Sequence, residues 1–254
     1  MACAWSGFYG SSQLRRWMQH IPRRFSCRDF SGPAQMSQKT ALHYAAARVC
    51  LPHTRIVVMD CPSPDMFYPI PFVSSIAGAQ HYAAVIADMA HKDAALWAGI
   101  SGEAFVLEAT SLQLGSCWVA ANYRRRDVEV PLEGQEKVLA VLALGMPRDP
   151  DGVSNRRRKA LNLLCRDDPA KWPLWAYQAA EAVRAAPSAM NLQPWRFSCA
   201  SNTMQISMTR RNVDAGIAIL HAECALHDIA HTWREGTKRT DFLISNTEEY
   251  DVPI

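Results

Sequence analysis

Hydrophobic and polar positions along the chain fall into readable segments. A helix is expected around 12–20, and "KTALHYAAARVC" (39–50) reads as a second one. "TRIVVMD" (54–60) and "HYAAVIADM" (81–89) predict strands, with the proline-rich loop "CPSPDMFYPIPF" between them. The segment "ALWAGISGEAFVLEATSLQLG" (95–115) is apolar nearly all round, which predicts a long helix buried on most sides and ended by Gly115. "EKVLAVLALGMP" (136–147) is an apolar run suited to a central strand.

From Arg148 to Lys171 the pattern gives way to charged sequence containing Pro and Gly, which reads as a connector. Beyond it, "PLWAYQAAEAVRAA" (173–186) predicts a helix. "WRFSCA" and "TMQISMT" predict two strands joined by a Ser-Asn turn. "DAGIAILHAECALHDIAHTWR" (214–234) predicts another long helix. Helices flanking short, non-alternating groups of strands define an α+β fold. There is no exact repeat and no low-complexity tract.

Composition narrows the class. At 254 residues the chain is one large domain or two small ones, and 49% hydrophobic with 20% charged residues describes a folded protein. No run approaches the ~20 apolar residues of a membrane helix, and the N-terminal sequence lacks the layout of a signal peptide. Eight cysteines without a C-x-x-C suggest reduced thiols and a cytoplasmic setting. The net charge is a mild +3, with basic clusters at 15–16, 23–24, 124–126 and 156–159. Solvated surface explains any one cluster as well as recognition of a phosphate does. No aromatic-interleaved basic motif supports a nucleic-acid partner.

Four constellations could carry chemistry. "RFSCRDF" is an R-x-S-x-R-x-F pattern, and in an extended segment Arg24, Ser26 and Arg28 would project together to grip a phosphate or a ring edge. A surface loop explains it too. "LQLGSCWVA" sets Gly115, Ser116 and Cys117 after the buried helix; a plain helix cap is the simpler reading, and no base adjoins Cys117 in sequence. In "SNRRRKALNLL", Arg156 and Arg158 have alternate spacing suited to a phosphomonoester, or belong to a solvated connector. On the helix predicted over 214–234, His221, Cys224, His227 and His231 share an arc of roughly 120°. A polar or interface face is favoured there over a metal, and no metal site is expected. Signatures of classical dinucleotide, P-loop and α/β-hydrolase sites are missing.

Together these pieces resemble the nitroreductase superfamily of FMN-dependent oxidoreductases. "RFSCRDF" is similar to its N-terminal R-x-S-x-R-x-F segment. "GEAFVLEATSLQLGSCWVAANY" is similar to its central helix and following turn, and "EKVLAVLALGMP" to its core strand. The most specific match is "APSAMNLQPWRF", which resembles the A-P-S-x-x-N-x-Q-P-W-x-F loop and strand. In typical members both motifs lie close together near the N-terminus, and the flavin sits between two subunits. Here they lie in different parts of one chain. That resembles the branch in which two nitroreductase-like halves mimic a dimer: residues 1–150, a connector at 151–171, and 172–254.

The resemblance implies one composite FMN site per monomeric chain. Arg24, Ser26 and Arg28 would hold the phosphate–ribityl side and the pyrimidine edge, with Arg28 as electrostatic support. Pro187, Ser188, Ala189 and Asn191 would line the isoalloxazine, Gly115 and Ser116 would meet the ring, and Arg156 and Arg158 would take the phosphate. Phe25 interrupts what is often a double arginine, so Arg23 is an alternative to Arg24. NAD(P)H is the implied donor, in ping-pong order, and a small molecule such as a nitroaromatic or quinone the acceptor. The chemistry would be the flavin's, with no separate catalytic acid or base. The alternative is a flavin-binding or flavin-free protein of the same fold without catalysis.

Overall fold

The computed structural model of the chain describes residues 7–70, 75–152 and 157–247. The apolar runs at 81–89 and 136–147 become inner strands of one antiparallel sheet. β1 (Phe30–Gly32), β2 (Thr54–Asp60), β3 (His81–Asp88), β4 (Gly115–Val119) and β5 (Glu136–Pro147) make up this sheet. Its order is β1-β5-β3-β2, with β4 also on β5. Gly115 to Val119 pair with Gly145 back to Val141, and the end of β5 pairs with β1. Both faces of β3 and β5 are covered. Ala83, Val85, Leu142 and Leu144 face one core cluster, and Tyr82, Ile86, Val141 and Ala143 face another. Two-sided burial is why these strands do not alternate in sequence.

The second sheet runs β6-β7-β9-β8, from β6 (Trp195–Ala200), β7 (Thr203–Met208), β8 (His231–Glu235) and β9 (Asp241–Asn246). β6 and β7 form the expected hairpin through Ser201 and Asn202, with Ala200 paired to Thr203. Five helices complete the described residues: α1 (Ser11–His20), α2 (Met36–Val49), α3 (Ala94–Ser111), α4 (Leu174–Ala185) and α5 (Val213–Ala225). α2 begins at a capping box in which the Gln35 N–H donates to Gln38 Oε1 (2.8 Å). α3 and α5 are apolar on all sides and pack against each other, with α1 and α4 on α5 and α2 on α3. All sheet pairings are antiparallel and helices are segregated from strands, so the fold is α+β. No helix among the described residues is long and apolar enough to cross a membrane.

Two helices are shorter than their sequence periodicity suggests. α3 ends at Ser111 with Leu112 as its cap, and Gln113 takes the left-handed conformation at φ 62°. Gly115 therefore does not cap the helix; it opens β4. α5 stops at Ala225, where the Leu226 N–H donates to the Ala222 and Glu223 carbonyls. Residues 231–235 instead form β8 on β9, burying Trp233. The shared arc of His221, Cys224, His227 and His231 is thereby dissolved. His221 and Cys224 are buried on α5, His227 lies beyond the helix, and His231 sits on a strand.

Candidate functional site

The R-x-S-x-R segment starts where α1 runs out. The Arg23 and Arg24 N–H groups both donate to the His20 carbonyl (3.0 Å each), so these residues still belong to a tight turn. Extended backbone begins only afterwards. Ser26 bridges Ser116, the Cys27 N–H donates to the Ser116 carbonyl (2.9 Å), and the Ala77 N–H donates to the Arg28 carbonyl (2.9 Å). In consequence Arg24, Ser26 and Arg28 do not share a face. Arg24 is 2% exposed, Ser26 is half-buried, and Arg28 is exposed. Ser116 is buried beside Ser26. A side chain at Gly115 would crowd Cys27 Sγ at 2.8 Å, so this glycine serves the close approach of β4 to the motif.

Arg24 instead turns into the protein interior. Its Nε lies 3.5 Å from Glu103 Oε1, and Glu103 on α3 is fully buried. Trp118 Nε1 donates to Glu103 Oε2 (2.8 Å), and His221 Nε2 is 2.9 Å from Glu103 Oε1. His221 Nδ1 is 2.8 Å from the Ala182 carbonyl, which only a ring N–H can satisfy. The proton between His221 and Glu103 therefore lies in the Nε2–Oε1 contact, whichever of the two carries it. Burial pushes the Arg24 pKa down, and the Glu103 carboxylate opposes that. The cluster joins the R-x-S-x-R segment to α3, α4 and α5.

The proline-bounded loop is built separately. After α4, residues 189–191 form a short 3-10 turn in which Met190 and Asn191 have φ of 50° and 54°, and Gln193 follows at 50°. Side chains hold this shape. The Gln193 N–H donates to Ser188 Oγ (2.9 Å), and Gln193 Nε2 donates to the Asn191 carbonyl (3.2 Å). Arg158 Nη1 donates to Asn191 Oδ1 and its Nη2 to the Ala185 carbonyl, both at 3.1 Å. The Lys159 N–H donates to Gln193 Oε1 (2.9 Å). The Ala189 N–H donates to Asp214 Oδ1 (3.0 Å), and burial raises the Asp214 pKa. Pro187 is buried, whereas Ala189 and Asn191 are exposed.

The expected residues thus fall into two groups. Ser26 and Cys27 meet Ser116 and Gly115, and Arg158 meets the 187–193 loop; Glu103 and His221 tie Arg24 to α4, the helix that precedes that loop. Arg156 lies outside the described residues. Sequence reading missed Glu103 and Asp214, and noted Gln193 only as part of the A-P-S-x-x-N-x-Q-P-W pattern. Glu103 did carry a signal, a carboxylate between Gly102 and Ala104 in the middle of a mostly apolar helix, since buried acids are almost always paired. Cys117 is buried and its thiol pKa is raised by that burial, the opposite of an activated nucleophile. All seven described cysteines are free thiols.

Two antiparallel sheets around a pair of apolar helices, with an R-x-S-x-R segment beside one and an A-P-S-x-x-N loop leading into the other, define a nitroreductase-like oxidoreductase. The chain belongs to the family described as "Putative TM nitroreductase", whose model matches residues 16–226. Among solved structures it is similar to a "putative nitroreductase" from Thermotoga maritima MSB8, with 22% identity and a TM-score of 0.62, over 91% of this chain and 94% of that one. A "putative nitroreductase in complex with FMN" from Desulfovibrio desulfuricans matches at 20% identity and a TM-score of 0.48, over 62% of this chain and 98% of that one. No curated protein sequence matches the chain.

Proposed function

We propose that the protein is an FMN-dependent NAD(P)H oxidoreductase that reduces a small acceptor such as a nitroaromatic or a quinone. The observation that carries this reading is the loop at 187–193, held in shape by Arg158, Lys159 and Asp214. Family membership and the FMN complex of the Desulfovibrio relative support it. When bound, FMN would take a hydride from NAD(P)H and deliver it to the acceptor, in ping-pong order.

The donor set suits an anionic, phosphate-bearing ring once the roles are redistributed. Arg28, Arg23 and Arg157 are exposed cations, and Ser26 offers a hydroxyl beside Ser116 of β4. Arg24 is committed to Glu103, and Arg158 spends its donors on the loop. Arg23 is therefore our choice over Arg24 for the phosphate. Arg28 would bind and balance negative charge on the ring. Pro187, Ser188, Ala189 and Asn191 would orient it, with Gly115 and Ser116 fixing the position of the R-x-S-x-R strand. In this reading the chain acts as a monomer whose two halves supply one site.

One observation favours the alternative, a protein of this fold without flavin chemistry: the first arginine of the motif is withdrawn into the core. A single experiment separates the two. Purified protein is reconstituted with FMN, the bound flavin is counted per chain, and NAD(P)H is added without oxygen. We expect one FMN per chain and loss of the yellow colour. Two FMN per chain would sink the composite site; a bound flavin that stays oxidised, or no uptake, decides for the alternative.

A further inference from the structure

A second constellation lies away from both groups, where β3 ends and α3 begins. His53 stands in the turn before β2, Asp88 ends β3, and His91 lies in the turn leading to α3. One ligand atom from each of the three lies within 4.8 Å of the others. Local sequence gives no hint of it, because His53 and Asp88 meet only through the hairpin. The Asp88 N–H donates to the His53 carbonyl (2.9 Å) and the Thr54–Ala87 pairing continues the ladder.

The ligand atoms lie within reach of one ion, although the two rings face each other. The imidazoles of His53 and His91 stack with centroids 3.3 Å apart and planes 22° from parallel. An imidazole binds an ion in its own ring plane, so binding requires one of the two rings to turn out of the stack until both nitrogens stand about 2.0–2.1 Å from the ion. Asp88 Oδ1 accepts from the Ala90 N–H (3.0 Å), and its Oδ2 stands 3.9 Å from His91 Nε2. The Trp97 indole stacks behind both rings, with centroids 5.6 Å from His53 and 6.2 Å from His91. His53 is exposed, which gives solvent access, while Asp88 and His91 are half-buried. Two imidazoles and one carboxylate suit a borderline cation rather than magnesium or calcium, which prefer all-oxygen sets.

We propose that His53, Asp88 and His91 bind one divalent transition-metal cation of the zinc class, with solvent completing the coordination. The ion clips the start of β2 and the end of β3 to the entry of α3. This site is independent of the flavin reading and would stand if that reading failed.

The test is a Co2+ titration of the full chain, followed by visible absorption, with Zn2+ competition and thermal unfolding alongside. His53→Gly removes a ligand while suiting the left-handed backbone at that residue (φ 62°). His91→Ala removes a second ligand, and the exposed His43→Ala is the control. We expect one Co2+ per chain with nitrogen and oxygen ligation, displaced by Zn2+. Binding should weaken more than about tenfold in His53→Gly and in His91→Ala, since even outer-shell changes cost about 10–100-fold. It should be unchanged in His43→Ala. Zn2+ at about 100 times its dissociation constant should raise the wild-type unfolding midpoint by roughly 5–10 °C, and the same Zn2+ should raise that of His53→Gly by no more than about half as much. Absence of sub-millimolar binding, binding that survives both ligand variants, or a thiolate charge-transfer band overturns the proposal.

Discussion

At the residue scale, Glu103 organises more of the interior than any residue of the recognisable motifs. It accepts from Trp118 and pairs with Arg24 and His221, all within the core. Removing one member of a buried charge cluster leaves its partners uncompensated, which costs about 3–5 kcal/mol. Glu103→Ala should lower stability by about that amount in urea unfolding, whereas Glu103→Gln, which keeps the shape and one acceptor, should lower it less. Equal losses for the two variants would mean that packing, not charge, dominates. The position of Arg24 could not be read from its motif. The two-residue period that puts R-x-S-x-R on one face applies only to extended backbone, and Arg24 still hydrogen-bonds to His20. Its partner lies 79 residues further along (103 − 24), beyond the reach of local pattern.

At the element scale, the crossing of α3 and α5 depends on two glycines. A Cβ on Gly216 would overlap the Leu96 carbonyl oxygen, and one on Gly99 would overlap the Val213 carbonyl oxygen. Backbone touches backbone there, with no side chain able to yield. Gly216→Ala gains helix propensity of about 1 kcal/mol in isolation, yet overpacking of this kind costs about 1–3 kcal/mol or more. Thermal unfolding should therefore show Gly216→Ala destabilised, and a neutral or stabilised variant would show that the helices separate at little cost. The elements themselves were largely legible. β2 spans Thr54–Asp60 as the sequence indicates, because an edge strand bounded by a turn and a proline-rich loop signals locally. The end of α5 was not, because Ala222, Ala225, Leu226, Ile229 and Trp233 keep a helical spacing past the true terminus. What overrides that spacing is pairing of His231–Glu235 with Asn246 back to Phe242, a contact made elsewhere in the chain.

At the scale of the whole molecule, the two sheets are separate in sequence, one within residues 30–147 and the other within 195–246. Their hydrophobic interiors are nevertheless continuous. One cluster contains Trp17, Phe105 and Leu144 together with Trp175, Trp195, Ile219 and Trp233. The parts meet through their helices: α1 and α3 of the first pack on α5 of the second, while α2 and α3 cover the first sheet. The chain should therefore unfold in one step, with far-ultraviolet ellipticity and tryptophan fluorescence giving coincident urea transitions. Two separated transitions would show that the parts are stable on their own. The shared core was not legible in the sequence, since which helix covers which sheet is decided by packing alone.

The loop at 187–193 has a consequence for selection. Met190, Asn191 and Gln193 all adopt the left-handed conformation, where an ordinary side chain costs about 1–2 kcal/mol per residue and glycine costs almost nothing. Met190 is also 79% exposed, so its side chain contributes little to the interior. Mutation toward glycine at 190 is a short and stabilising route, open to any lineage in which the loop is only a connection. Asn191 and Gln193 are held by bonds within the fold, so a lineage that keeps methionine at 190 is the one retaining a side chain against the pull of stability, and the trait being maintained is what that side chain meets outside the fold.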